Sequence, residues 1–230
     1  MTLDAFLLAD GRFPAGGHVH SAGVEAAVAD GRVHDEDSLV AYMHGRLLTA
    51  GLTDAALAVA TTTRVRAAGA REERAVVLLA LDAEAGARVP APPLREASRR
   101  LGRQLVRAAA RCWPSVVLSD AAGLLPDGPH QPCALGLVGC AAGLAADEVA
   151  RVAVHHAIAT PGQAGVRLLG LDPFAVVALA AGLAADGEAV VREALTYADA
   201  PLADLPARTG PMVEIAAMEH AQWDVRMFTT

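Results

Sequence analysis

The spacing of the apolar residues is the feature that most constrains this fold. In the run DEDSLVAYMHGRLLTAG, residues 35–51, acidic side chains fill the first turn, and Leu39, Tyr42, Met43 and Leu47 then recur at helical intervals. Acidic groups favour the positive end of the helix dipole, and this interval is typical of one face of a helix. The sequence has no alternating pattern of a half-buried strand and no internal repeat. The pattern therefore predicts an all-α protein.

The composition favours close packing of helices. Hydrophobic residues make up 53% of the 230 residues but aromatic residues only 3%, so the apolar content is mostly Ala, Leu and Val. Ala has the highest helix propensity, and small side chains let helices approach closely. We expect a single domain over residues 1–230, an all-α bundle of about ten helices joined by short loops.

Glycine and proline clusters mark the expected helix ends. Residues 119–132 are predicted to form a long loop that holds one helical turn, and the three prolines within 199–211 predict a flexible linker before a C-terminal partner-binding segment at 212–230. The predicted helices are 2–9, 21–30, the run within 35–51, 51–68, 71–84, 94–112, 133–144, 146–159, 162–169, 173–185 and 187–198.

Charge and residue content argue against several classes of function. All 19 basic residues are arginine, which excludes Schiff-base chemistry, a lysine general base and the lysine of a Walker-type nucleotide site. The net charge of −7 argues against nucleic-acid binding. No nucleophile–base set or paired-carboxylate signature is evident, so we assign no catalytic residue and expect a protein that is not an enzyme.

The cysteines and the N-terminus predict the compartment. The three cysteines show no CxxC spacing, which fits a reduced environment. The N-terminus lacks the basic region of a signal peptide, and the longest apolar run is short for a membrane span. We expect a soluble cytoplasmic protein with no membrane contact.

The run GRFPAGGHVHSAGVE, residues 11–25, contains the densest group of candidate functional residues. In an extended segment His18 and His20 would point to the same side and could share one Ni²⁺ or Cu²⁺. Two imidazoles are an incomplete ligand set, so a polar loop that contacts another chain is the alternative, and both interpretations stay open. Gly16 and Gly17 are expected to allow a tight bend with positive φ between two helices, because no strand or lysine supports a phosphate loop.

A row of arginines is predicted along the helix at 94–112. Arginine occupies every fourth position, with Arg100 beside the row. One interpretation is a docking face for an acidic protein, and the other is a solvated surface whose arginine stems pack on alanines. The row consists of Arg95, Arg99, Arg103, Arg107 and Arg111.

The C-terminus is unusually apolar for a chain end. Trp223, Val225, Met227 and Phe228 surround Arg226. Chain ends are normally polar, and this much apolar surface has to pack either on its own domain or on a partner. Trp, Met and Arg are enriched at protein interfaces.

Taken in order, several of these segments resemble the urease accessory protein UreF family. The run Asp10–Glu25 is similar to that family's N-terminal signature D-S-x-F-P-x-G-G-F-x-[YH]-S-x-G-L-E. REASRRLGRQLVRAA, HQPCALGLVGCAAGL, ATPGQAGVRLL and MEHAQWDVRMF resemble four further family segments, in the expected order. The matches extend from residue 4 to residue 228. His18 and His20 stand where the family usually has Phe and Tyr, and the tail ends R-M-F-T-T where the family has R-L-F-R-S.

The resemblance implies an all-α homodimer that acts in urease maturation. UreF-type proteins bridge the accessory protein UreD, also called UreH, and the GTPase UreG in the complex that inserts nickel into apo-urease. No cofactor is expected to bind tightly, and Ni²⁺ would be handled transiently. The alternatives are a nickel-binding protein that uses the His18/His20 loop and a helical scaffold that has lost the urease role.

The resemblance also implies a place for the two ends of the chain. In the family the apolar tail lies at the UreD interface, and the tail arginine, here Arg226, lies near the N-terminal signature. The expected partner-binding residues are Phe13, Pro14, Gly16, Gly17, His18, His20, Ser21, Glu25, Trp223, Arg226, Met227 and Phe228.

Overall fold

The protein is a bundle of α-helices in a computed structural model that describes residues 1–229. No strand occurs within those residues, and the all-α prediction is confirmed. The helices are α1 Leu3–Ala9, α2 Val24–Ala29, α3 Glu36–Arg46, α4 Leu52–Ala67, α5 Arg71–Ala87, α6 Pro92–Cys112, α7 Val116–Leu124, α8 Gln131–Ala141, α9 Ala146–Leu169, α10 Pro173–Gly182, α11 Ala184–Leu195 and α12 Pro211–His220.

The helices α3 and α4 are continuous. A π-helical turn, Leu47–Gly51, joins them, whereas the sequence predicted two separate helices. At Gly51 an added Cβ would lie 3.1 Å from the Cβ of Ala157 on α9, so the glycine allows close packing at this turn. The described residues thus hold eleven continuous helices, which agrees with the expected number of about ten.

Small residues bring the central helices α4, α8 and α9 together. An added Cβ at Gly136 would lie 2.6 Å from the carbonyl oxygen of Ala58, and one at Gly139 would lie 2.4 Å from a methyl group of Val149. Larger side chains at these positions would force the helices apart. The interior built this way is rich in Ala, Val and Leu, as the composition predicts.

Several helix boundaries differ from the prediction, and the helix α12, Pro211–His220, was not predicted. The expected loop at 119–132 contains most of α7, which Ser115 caps by accepting a hydrogen bond from the Val117 N–H at 3.2 Å. Leu118 and Ala121 bury one face of this helix, so packing favours it despite its turn-forming residues. The predicted break near 160 is absent, because α9 runs through Pro161 to Leu169.

The predicted flexible linker, residues 199–211, is fastened to the bundle, and its last residue, Pro211, begins α12. The buried guanidinium of Arg88 donates hydrogen bonds to the carbonyl oxygens of Leu202, Leu205 and Pro206 at 3.0 to 3.1 Å. The hydroxyl of Thr53 bonds to the backbone of the same segment. This anchoring positions α12, which packs against α2 and α6.

The apolar helices can be compared with the length and hydropathy that a membrane-spanning helix needs. Within residues 1–229 no single helix is both long enough and apolar enough to cross a bilayer. The helices α10 and α11 taken together have the length and composition of a membrane span, but the angle between them is 48°.

Candidate functional site

The N-terminal loop between α1 and α2 is held against α6. Phe13 is buried and stacks on Trp113 with the ring centroids 5.9 Å apart. Gly16 has a φ of +82°, and an added Cβ there would lie 2.6 Å from the Gln104 side chain. The Gln104 amide donates to the carbonyl of Pro14 at 3.3 Å. Gly16 therefore provides the positive φ that the sequence predicted, and it also allows a close approach to α6.

The two histidines of this loop lie in different environments. Residues Gly17–Val19 form a 3₁₀ turn rather than an extended segment, which removes the geometry that would direct both imidazoles to one side. His18 is exposed, and its carbonyl oxygen accepts a hydrogen bond from Arg167 at 3.0 Å. His20 is buried, and burial, with the charges of Arg100 and His18, lowers its pKa to about 4. His20 is therefore neutral near pH 7.

Glu25 on α2 is the centre of the site. Its buried carboxylate accepts hydrogen bonds from the ring Nε2 of His220 at 2.8 Å, from the N–H of Met227 at 2.6 Å and from the N–H of Phe228 at 3.0 Å. The Glu25 N–H donates to the hydroxyl of Ser21 at 3.3 Å, one turn earlier. Bonds to a charged acceptor are stronger than neutral ones. One carboxylate thus joins α2, α12 and the C-terminal tail.

Phe228 completes the attachment of the tail to the loop. Its ring is buried, and the guanidinium carbon of Arg167 lies 4.4 Å from the ring centroid. The next residue, Thr229, donates its N–H to the carbonyl of Val19 at 2.7 Å. Arg167 contacts both the loop and the tail, so these two ends of the chain form one surface, which we call the terminal junction (residues 13–25 and 220–229).

The remaining tail residues differ in exposure. Trp223 is half-buried and packs against the imidazole of His220 with the centroids 4.7 Å apart. Val225 and Met227 are 87% and 56% exposed, so the tail leaves apolar surface in water although Phe228 is buried. Arg226 lines a cleft of about 400 Å³ together with Arg100 of α6.

The structure therefore brings the predicted residues of both chain ends into one junction. Phe13, Gly16, His20, Ser21, Glu25 and Phe228 are buried within it, whereas Pro14, Gly17, His18, Arg226 and Met227 are exposed around it and Trp223 lies between the two groups. Sequence reasoning did not select His220, Arg167, Gln104 or Trp113 as site residues. The signal available was that His220, Arg167 and Gln104 each fall inside a segment that resembles the family, whereas Trp113 lies outside those segments.

The arginine row of α6 divides into two groups. Arg95 donates to the carbonyls of Val89 and Pro90, and Arg103 donates to that of Asp127. Arg99 binds the buried carboxylate of Asp82 at 2.9 Å and also a backbone carbonyl at 2.7 Å. These three arginines hold adjacent loops, so the row as a whole is not a uniform docking face. The other two members, Arg107 and Arg111, are exposed, as is Arg100 beside the row.

The described residues 1–229 contain no group of three or more His, Cys, Asp or Glu side chains placed to hold a metal ion. A metal shared by His18 and His20 stays a prediction. The junction presents apolar and cationic side chains on its outer side.

The sequence of the chain matches known proteins over nearly its whole length. The sequence model of the UreF family matches residues 33–184. A urease accessory protein UreF from Mycolicibacterium vanbaalenii is 40% identical over 224 residues, which cover 97% of this chain and 96% of that protein. A UreF from Mycobacterium sp. (strain JLS) is 39% identical, and the match covers 97% of this chain and 96% of that protein. A UreF from Mycobacterium tuberculosis (strain H37Ra) is 38% identical, and the match covers 93% of this chain and 91% of that protein. The chain belongs to the UreF family of urease accessory proteins.

Proposed function

We propose that this protein is a non-enzymatic urease maturation factor that bridges UreD/UreH and the GTPase UreG while nickel is delivered to apo-urease. Family membership supports the urease role, and the terminal junction supports the role of a binding module. Nickel is the cargo of the assembly, and we expect this chain to handle it only transiently. The three cysteines are free thiols, which fits assembly in the reducing cytoplasm.

The observation that carries the proposal is the exposed apolar surface at the end of the chain. On α12 the outward residues Met212, Ile215 and Met218 lie three positions apart and are about half exposed, and the tail adds Val225 and Met227. Such a surface is unfavourable in water unless a partner covers it. Glu25 and Phe228 hold the tail in place, so a partner would meet an ordered surface and lose less conformational entropy on binding. We assign this surface to UreD/UreH.

A second apolar surface supports a homodimer. The helix α10 buries only Val176, while Phe174 and Val177 are 85% and 69% exposed. A second copy of the chain would cover this face. Light scattering after gel filtration tests the idea, because a dimeric mass for the wild type should fall to the monomeric mass in a Phe174→Glu variant.

Co-purification tests the role of the tail. We expect a Val225→Asp/Met227→Asp variant to lose UreD/UreH when the accessory proteins are co-expressed, because two charges would be buried in an apolar interface. Val76→Asp is the matched control, since Val76 on α5 is 69% exposed and lies away from the tail. Deletion of residues 219–230 should have the same effect as the double substitution. Unchanged co-purification and unchanged urease activation in these variants would contradict the proposal.

A further inference from the structure

The cleft beside the terminal junction is the strongest unexplained feature of the molecule. Its volume is about 400 Å³, and it lies where α2, α6, α12 and the tail meet. Pro93, Leu94 and Ala217 contribute apolar wall, while Arg100, Arg226 and Glu96 contribute charge. The volume is enough for one or two side chains of a peptide, and it lies at the lower end of the range for small-molecule sites.

The two arginines of the cleft are weakly neutralised. Arg100 has one ion pair, with Glu96 at 3.9 Å, and both side chains are largely exposed. Of the carboxylates in the described residues 1–229, none lies within ion-pair distance of Arg226. The buried carboxylate nearby, that of Glu25, is already engaged by His220 and two backbone N–H groups. The described residues that line the cleft thus carry two arginines and one carboxylate, an excess of positive charge in a chain whose net charge is −7.

This positive charge continues along α6. At about 100° per residue, Arg107 and Arg111 lie within about 20° of the direction of Arg100. Both are exposed, and neither forms an ion pair with the described part of the chain. Arginine binds carboxylates with a planar, bidentate geometry, and charge complementarity between surfaces both guides and selects partners.

We propose that the cleft and the outer arginines of α6 bind an acidic segment of a partner protein, with one carboxylate inserted between Arg100 and Arg226. The apolar wall packs against the aliphatic part of that acidic side chain, and Arg107 and Arg111 bind the residues that follow it. The arginines that bind this segment are different side chains from the apolar ones assigned to UreD/UreH, although Arg226 lies between Val225 and Met227 in the tail.

A peptide titration tests the proposal on the full-length chain. The probes are blocked hexaglutamate and blocked hexaglutamine peptides, with binding measured by calorimetry at low salt. We expect saturable binding of hexaglutamate that weakens as salt is added, and no binding of hexaglutamine. Trp223 provides a second readout, because it packs on His220 at the cleft, and a Trp113→Phe variant leaves it as the sole tryptophan.

Variants separate the cleft from general surface charge. Arg100→Gln and Arg226→Gln should each weaken hexaglutamate binding about tenfold, because each loses a charge-assisted hydrogen bond. Arg107→Gln should weaken it about threefold. Arg192→Gln on α11 is the matched control, since Arg192 is exposed and remote from α6, and it should leave affinity unchanged.

Three results would overturn the proposal. The first is no binding of hexaglutamate at low salt. The second is an equal loss of affinity in the Arg192→Gln control, which would indicate nonspecific attraction. The third is saturable binding of inorganic phosphate that depends on Arg100 and Arg226 without binding of hexaglutamate, which would identify a small-anion site instead of a peptide site. Circular dichroism of each variant shows whether the fold is retained.

Discussion

The central helices and the terminal junction are held together by opposite means. The α8 backbone approaches that of α4 at Gly136 and the Val149 side chain of α9 at Gly139, because neither glycine has a side chain, and the helices pack closely. At the junction one carboxylate, Glu25, binds three donors, and a single aromatic ring fills the remaining gap. Damage to the core should therefore affect the whole domain, whereas damage to the junction should release only the tail and loop.

The largest expected effect comes from a substitution of Glu25 at the junction. Replacing Glu25 with Ala leaves the buried His220 ring and two backbone N–H groups without their acceptor, and each buried donor left unsatisfied costs about 1–3 kcal/mol. We expect the amides of Met227 and Phe228 to lose protection in hydrogen exchange while the thermal unfolding of the bundle changes much less. The control is Glu219→Ala, since Glu219 is exposed on α12. Retained protection in Glu25→Ala would show that the carboxylate is not the anchor.

The core should respond globally to a smaller change. Gly136→Ala places a Cβ 2.6 Å from the Ala58 carbonyl oxygen, and overpacking of this kind lowers the free energy of unfolding by about 1–3 kcal/mol. Urea unfolding measures the loss, and exchange at the junction should follow global unfolding. Gly45→Ala is the matched control, because nothing lies within 4 Å of its added Cβ, and it should be neutral or slightly stabilising. Equal stability of the two variants would contradict the close approach of α4 and α8.

Acid should weaken both regions through the buried His20 and the half-buried His156. Burial lowers the pKa of His20 at the junction and of His156 on α9 to about 4, from an ordinary 6.5. The folded state therefore disfavours protonation. The stability that each neutral ring contributes is complete above pH 6.5 and is lost as the pH falls toward 4. At pH 5 each of these histidines should lower the free energy of unfolding by roughly 2 kcal/mol relative to its value at neutral pH.

Matched substitutions separate the two contributions. Unfolding free energies at pH 7 and pH 5 should differ less in His20→Gln and in His156→Gln than in the wild type. Hydrogen exchange should assign the first effect to the junction and the second to the core. His18→Gln is the control, because His18 is exposed. The same pH dependence in all four proteins would rule out this account.

The smallest expected effect is at the entrance to α2. The Tyr42 hydroxyl donates a hydrogen bond of 2.7 Å to the carbonyl of Ala22, a residue that has a φ of +57°. Tyr42→Phe should lower stability by about 1 kcal/mol, since one partly buried hydrogen bond is lost. Tyr197→Phe serves as the control. An unchanged stability of Tyr42→Phe, or an equal loss in the control, would contradict the contribution of this hydrogen bond.

Local sequence pattern predicted the helices well because most of them bury one face. It missed the extent of α7, whose Ser, Asp and Gly residues are typical of turns but whose Leu118 and Ala121 are buried. It also predicted a break near Pro161, yet α9 continues because neighbouring helices support it on several sides. Propensity is a weak guide wherever tertiary packing compensates for it.

The junction could be predicted only in part. Family resemblance selected Glu25 and Phe228, but the partners of Glu25 lie about 200 residues away in the chain, a separation of 195 for His220. The helical periodicity of the sequence does not predict contacts between residues that lie so far apart in the chain. The extended geometry expected for His18 and His20 was also not adopted, because the glycines before them allow a 3₁₀ turn.

The order in which the chain is synthesised determines when the tail can bind to the loop. Residues 227–229 are the last part of the described chain to leave the ribosome, and they supply the N–H groups that bind Glu25 and the loop. The junction cannot form before these residues emerge. A chain cut before residue 227 would lack the donors that bind Glu25 and the loop, so it would not present the complete surface to a partner.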